Sequence, residues 1–161
     1  MQVLWGQMPP STGTILYTKE SHDMPVEEVY KNLTIATPYL DLIEELTLQE
    51  QLEFHFALKK SRNEMTISEM LDKMELTHAR DKAIRNFSSG MKQRTKLALG
   101  FFTASDVLFL DEPGTNLDVN SFAWYQSLLE EVLGKQLIFI ASNQPDEYPQ
   151  DAVKIEIMDY K

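Results

Sequence analysis

Val107-Leu108-Phe109-Leu110-Asp111-Glu112-Pro113 decides the reading of this chain: four consecutive apolar residues, suited to a buried strand, end abruptly in two adjacent carboxylates. A parallel strand is buried on both faces, so charged groups are tolerated only at its carboxyl end, where the chain emerges into a crevice. Acids placed there usually face a ligand. Asp111 is suited to hold a hydrated Mg²⁺, and Glu112 to orient or deprotonate a water. A strand followed by an ordinary acidic turn reads the same way in isolation, and the flanking sequence decides between the two.

Upstream stands Phe87-Ser88-Ser89-Gly90-Met91-Lys92-Gln93-Arg94, and downstream Gly114-Thr115-Asn116-Leu117-Asp118. Ser88 and Gly90 sit where a helix begins, offering a hydroxyl, free backbone N–H groups and the positive end of a helix dipole to a phosphate. An ordinary N-cap would look alike; the spacing to Asp111-Glu112 is what separates the readings. In this order the motifs resemble those of the ATP-binding-cassette (ABC) ATPases. Phe87 to Met91 resemble the family's signature LSGGQ, Gln93-Arg94 its QR pair, Asp111-Glu112 its Walker B acids, and Leu117-Asp118 the end of its D-loop.

The resemblance runs along the whole chain. Leu4 to Ile15, with a Leu-x-Gly, a proline turn and a Gly, is similar to the segment after the family's phosphate-binding helix; Leu137 to Asn143 is similar to the strand leading to its switch histidine. A P-loop, GxxxxGK[ST], wraps phosphates with backbone N–H groups, and no such pattern occurs among the six glycines. By motif spacing its Lys falls about three residues before Met1. The resemblance therefore implies an ABC ATPase truncated inside its first helix, and apolar surfaces such as Val107 to Leu110 are expected to be less covered than in the family.

The resemblance also implies roles. Glu112 is expected to act as the catalytic base and Asp111 to hold Mg²⁺ through water, with Asn143 at the switch position. Ser88, Ser89, Gly90 and Met91 are expected to contact ATP held by the other subunit of a head-to-tail dimer, and Asp118 to belong to the D-loop. Departures are mild at Ser89 and Met91 and larger elsewhere. Pro38 stands where the Q-loop glutamine is expected, and has no side-chain acceptor. Asn143 replaces a histidine; it can hydrogen-bond a γ-phosphate but cannot change charge near neutral pH.

Bulk properties narrow the partners. At 161 residues and 43% hydrophobic content the chain can bury one sizeable core, and a formal charge of −10 with a pI near 4.7 lacks the basic footprint of a nucleic-acid binder. No run approaches the roughly 18 apolar residues of a membrane span and no signal peptide is visible, so no direct membrane insertion is expected. The absence of cysteine excludes disulfides and thiolate metal sites. His22, His55 and His78 lie outside every motif, without metal-ligand spacing, and read as structural or solvated. Met65, Met70 and Met74 read as core or partner-contact residues.

Periodicity gives the elements. A helix remnant, a proline turn, a strand around Thr14 to Tyr17, a polar loop and a strand around Leu33 to Ala36 come first. Leu48, Leu52 and Phe56, then Ile67, Met70, Leu71 and Met74, have helical spacing. Helices at Thr95 to Ala104 and Val119 to Leu133, the latter burying Phe122, Tyr125, Leu129 and Val132, alternate with strands at 107–111, 137–142 and 153–158. The expected fold is α/β, a partial P-loop NTPase (ABC ATPase) fold with a parallel sheet flanked by helices and a helical subdomain. As one incomplete domain it divides into 1–43, the N-terminal part of the core; 44–85, the helical subdomain; and 86–161, with the signature, Walker B, D-loop and switch regions.

Two functional readings result. The first is the ATP-binding and hydrolysing subunit of an ABC transporter, with cofactors ATP and Mg²⁺, working as a homodimer or heterodimer and powering a separate membrane-spanning partner. Its place would be cytoplasmic, peripheral at the inner face of the cell membrane through that partner, and this chain alone is expected to be inactive. The second is a non-catalytic regulatory or scaffold cassette, suggested by Pro38 and Asn143. Retention of Glu112 favours the first.

Overall fold

The computed structural model describes residues 1–156. The first residues form consecutive turns, with Leu4 N and Trp5 N donating to Met1 O at 2.8 and 3.3 Å, in place of the expected helix remnant. β1 (Tyr17–Lys19) and β2 (His22–Met24) then pair antiparallel as a hairpin. The strand expected at Thr14 to Tyr17 is therefore shifted toward the C-terminus, and its partner lies in what reads as a polar loop. The reason is turn chemistry: Glu20 and Ser21 carry φ of 51° and 66°, a two-residue turn for which sequences normally supply Asn or Gly. α1 (Val26–Val29) and β3 (Leu33–Ala36) come next, the latter as expected.

Helices dominate the next stretch. α2 (Leu48–Leu58) and α3 (Ile67–Lys73) each begin with a reciprocal capping box, Thr47 with Glu50 and Thr66 with Glu69, which satisfies backbone donors that a helix start leaves open. Short 3₁₀ turns at Arg62–Glu64, Thr77–Ala79 and Ile84–Asn86 join them to the rest. Leu48, Leu52, Met70, Leu71 and Met74 are essentially inaccessible, so these methionines are core residues.

α4 (Ser89–Phe102), β4 (Val107–Asp111), α5 (Val119–Val132) and β5 (Leu137–Ala141) complete the fold. The sheet runs β3-β4-β5 and all neighbours are parallel, with β4 in the centre. One face packs on α4 and α5: Gly100 brings α4 so close that a Cβ there would sit 3.2 Å from Ala36 Cβ and 3.3 Å from Leu108 Cδ1. Leu97, Phe101, Leu108, Leu110, Tyr125 and Leu128 form one core with the buried residues of α2 and α3. The other face carries a smaller cluster, where Phe109 stacks on Phe139 at 5.0 Å and meets the edge of Trp5 at 5.5 Å.

β4 is covered on both faces: Leu108 and Leu110 are fully buried and Phe109 is 3% exposed, with α4 and α5 on one face and Trp5 folded back onto the other. Two expectations are corrected. The expected strand at 153–158 is not formed over residues 153–156, where Val153 and Ile155 face solvent without a ladder partner; its last residues lie outside the described ones. Phe122, expected to be buried, is half-buried, and Trp124 and Leu128 take more of the core.

His55 is the structural histidine of the set. Thr103 Oγ1 donates to Leu99 O at 2.6 Å and is 2.8 Å from His55 Nε2, so that ring nitrogen carries a hydrogen and donates it. Burial foremost, then the Lys59 charge, pushes its pKa down to about 4. An unfolded histidine titrates near 6.5, so the full stability is present above about pH 6.5. As pH falls, the unfolded chain gains a proton that the folded chain refuses, until both are charged below about pH 4. Urea denaturation from pH 7 to 4.5 should show a loss on the order of 3 kcal/mol, absent in His55→Gln. An identical slope in that variant would place the titrating group elsewhere.

Candidate functional site

Parallel pairing puts three strand ends on one edge of the sheet. Ala36 lies opposite Leu110 and Asp111 opposite Ala141, so Thr37-Pro38, Asp111-Glu112 and Ser142-Asn143 emerge side by side. Asp111 is half-buried there. Burial foremost, then the neighbouring Glu112 charge, raises its carboxyl above the ordinary aspartate value, while the Met1 amino group and the Thr37 hydroxyl pull the other way. Glu112 is exposed and its N–H donates to Ala141 O at 2.8 Å, carrying the ladder one residue past the strand. Its φ is 43°, a left-handed conformation that costs a residue with a Cβ about 1–2 kcal/mol.

The loop from Glu112 to Asp118 is held from several sides. Thr115 N donates to Glu112 O and Leu117 N to Gly114 O, both at 3.1 Å, and Asn116 takes φ of 63°. Buried Gln93 on α4 donates from Nε2 to Pro113 O at 3.0 Å. Buried Glu147, in the 3₁₀ turn Pro145–Glu147, accepts from Gly114 N at 3.0 Å. Asp118 closes the loop by capping α5, accepting from Ser121 N at 2.8 Å, and that hydrogen bond holds its carboxyl below the usual range.

Ser88 caps α4, its Oγ accepting from Met91 N at 3.2 Å, and both Ser88 and Ser89 are exposed. Gly90 brings the start of α4 against the loop: a Cβ on it would lie 3.0 Å from Asn116 O. The sequence-derived candidates thus fall into two neighbouring groups. Asp111, Glu112 and Asp118 share one loop, with Asn143 exposed just beyond the adjoining strand; Ser88, Ser89, Gly90 and Met91 form the first turn of α4 beside it. Pro38 is tied by its carbonyl to Lys96 Nζ on α4. Sequence reasoning missed Thr37, which had no motif, and Glu147, which reads as one more acid in a polar loop. Among the described residues no three His, Cys, Asp or Glu side chains gather as a metal cage, so a cation at Asp111 would keep most of its waters, as Mg²⁺ does.

The sequence profile of the ABC transporter family matches residues 1–115. The chain is 30% identical over 161 residues to an uncharacterized ABC transporter ATP-binding protein of Bacillus subtilis, covering 98% of this chain and 52% of that protein. It is 28% identical over 152 residues to ATP-binding cassette sub-family A member 2 of Rattus norvegicus, covering 91% of this chain and 6% of that one. The chain therefore spans about half, or much less, of these curated relatives. In fold it matches an ATP-binding cassette solved as a post-hydrolysis dimer bound to ADP and Pi, with TM-score 0.71 and 18% identity, over 89% of this chain and 68% of that one.

The contact between α4 and the loop gives a direct test. Gly→Ala inside a helix ordinarily stabilises by about 1 kcal/mol. At Gly90 the added methyl meets the Asn116 carbonyl, a backbone atom in a strained turn, so Gly90→Ala should lower the urea midpoint instead. An ordinary gain in stability would mean that the first turn of α4 and the loop are not packed as described.

Proposed function

The chain belongs to the ABC transporter family, and from that premise we propose that it is part of an ATP-binding and hydrolysing subunit that drives a separate membrane-spanning partner. The observation that carries the proposal is the meeting of Asp111-Glu112, Thr37 and Asn143 at one sheet edge, with Gly90 and the α4 N-terminus packed against the same loop. In this reading Asp111 holds Mg²⁺ through water. A bound Mg²⁺ would neutralise phosphate charge. Glu112 orients the attacking water and accepts its proton, and Asn143 hydrogen-bonds a phosphate oxygen. Ser88, Ser89, Gly90 and Met91 offer the helix N-terminus to ATP held by a second cassette, and Asp118 lies beside that interface.

The proposed division is 1–43 with the sheet, 44–85 as the arm that meets the membrane partner, and 86–161 carrying the nucleotide-facing motifs. No helix among the described residues is long and apolar enough to cross a membrane, which is consistent with attachment through that partner. The dimer seen for the structural relative supports a paired cassette, homomeric or heteromeric. A regulatory cassette is the second reading, favoured specifically by Pro38 and Asn143, which withdraw a side-chain acceptor and a titratable ring from the edge where Asp111 lies.

Because the 161 residues contain no GxxxxGK[ST], the principal anchor for a triphosphate is not among them, and we propose that this chain alone does not turn over ATP. Calorimetric titration of the 161-residue protein with Mg·ATP should show at best weak binding, without steady phosphate release. Micromolar binding with turnover would overturn the proposal. In a chain joined in frame to a P-loop segment, Glu112→Gln should keep ATP binding and slow hydrolysis by about 10²-fold or more. Unchanged turnover there would assign the base to another residue.

A further inference from the structure

Glu147 is the one charged side chain among the described residues that is buried almost completely, at 1% exposure, and it belongs to none of the motifs. Burying a carboxylate is costly unless hydrogen bonds compensate it. Here the compensation is narrow: Oε1 accepts from Gly114 N at 3.0 Å, while Oε2 has no hydrogen-bond partner. The main chain of the same residue is fixed as well, since Tyr125 OH, on α5, donates to Glu147 O at 2.6 Å. Gln126 Nε2 donates to Asp146 O at 3.2 Å, so α5 holds the turn through two successive carbonyls.

The other side of the contact is equally constrained. A Cβ on Gly114 would lie 2.3 Å from Glu147 Oε1 and 2.8 Å from Phe122 Cε2, so only glycine lets the backbone come this close. Gly114 sits between Glu112 and Asp118, in the loop whose Glu112 and Asn116 both hold left-handed backbone angles. Such a loop needs external contacts to stay in place. Gln93 supplies one at Pro113 O from the α4 side, and Glu147 supplies the next one, at Gly114 N, from the segment after Asn143.

We propose that Glu147 is a positioning residue of this site: its buried carboxylate holds the Gly114 amide, fixes where Glu112 and Asp118 stand, and ties their loop to the segment carrying Asn143. The functional meaning rests on the reading of Glu112 and Asp118 as site residues. The tie itself does not, because it is a contact between two residues of this chain.

Residue-resolved amide hydrogen exchange on the 161-residue chain, with no nucleotide present, tests it. Glu147→Met keeps length and removes the acceptor, whereas Glu147→Gln keeps an acceptor oxygen. In Glu147→Met the Gly114 amide and its neighbours to Asp118 should exchange about tenfold faster or more, while the amides of Leu108 in β4 and Tyr125 in α5 change by no more than about twofold. Glu147→Gln should restore wild-type exchange in the loop. Gly114→Ala should release the loop from the opposite side, and Glu147→Met should add nothing on top of it. Unchanged Gly114 exchange in Glu147→Met would overturn the proposal. So would equal acceleration in Glu147→Gln, or a uniform rise that includes Leu108 and Tyr125, which would make Glu147 a contributor to global stability only. Failure of the ATP titration would leave these exchange results standing, so the two proposals fail separately.

Discussion

The burial of β4 on both faces is the constraint on which the rest of the structure depends. Leu108 and Leu110 point into the core shared with α4 and α5, while Phe109 points to the opposite face between Trp5 and Phe139. A strand in that position cannot carry a carboxylate until it leaves the sheet. Asp111 is therefore the first residue able to be acidic, and because it is still half-buried there, burial raises its carboxyl above the ordinary aspartate value. Because β3 and β5 run parallel to β4, their own exits fall on the same edge, and the polar residues after them converge without any contact between their side chains being required.

The loop leaving β4 combines backbone strain with fixed placement. Glu112 and Asn116 adopt left-handed angles without being glycine, while Gly114 between them is reserved for a different purpose, the close approach of Glu147. The loop is stabilised by parts of the chain far away in sequence: Gln93 from α4, Glu147 after β5, and the packing of Gly90 beneath Asn116. Asp118 then converts its end into a helix start by capping α5. Each of these contacts is modest alone, but they act on one short segment and so leave it few alternatives.

The fold was legible where one signal was sufficient. Continuous apolar runs marked β4 and β5, and spacing of three and four marked α2, α3 and α5, because burial on a face sets both patterns; α4 begins at Ser89, six residues before the helix expected from Thr95. The hairpin of β1 and β2 was hidden because Glu20-Ser21 turns the chain without the residues that usually announce such a turn. The segment beginning at Val153 had strand-like alternation but no partner, and alternation does not specify one. In the candidate site, Asp111, Glu112, Ser88, Gly90 and Asp118 could be picked out because they lie in short ordered motifs. Glu147 could not be, since its burial is created by α5 and by Gly114, and nothing in its own neighbours along the chain distinguishes it from the exposed acid Asp146.

α4 is the element that links these parts mechanically. Its first turn presents Ser88 and Gly90, and its next turns send side chains in two directions. Lys92 pairs with Glu44 at 2.5 Å and Lys96 binds the Pro38 carbonyl, which fastens the loop after β3. Arg94 donates to Met74 O at 2.9 Å and pairs with Glu75 at 2.7 Å, while stacking 4.7 Å from the Trp124 ring, whose Nε1 donates to Lys73 O at 2.7 Å. The Met74 and Lys73 carbonyls at the C-terminal end of α3 are thus closed by α4 and α5, while Leu71 O and Asp72 O accept from Leu76 N and Glu75 N just beyond the helix. Displacing α3, or the loop around Pro38, must carry α4 along or break buried hydrogen bonds, and removing a partner from a buried polar group costs more than the bond contributes. The proline at position 38 fits this arrangement: it has no side-chain acceptor to offer the sheet edge, yet its carbonyl is what Lys96 requires.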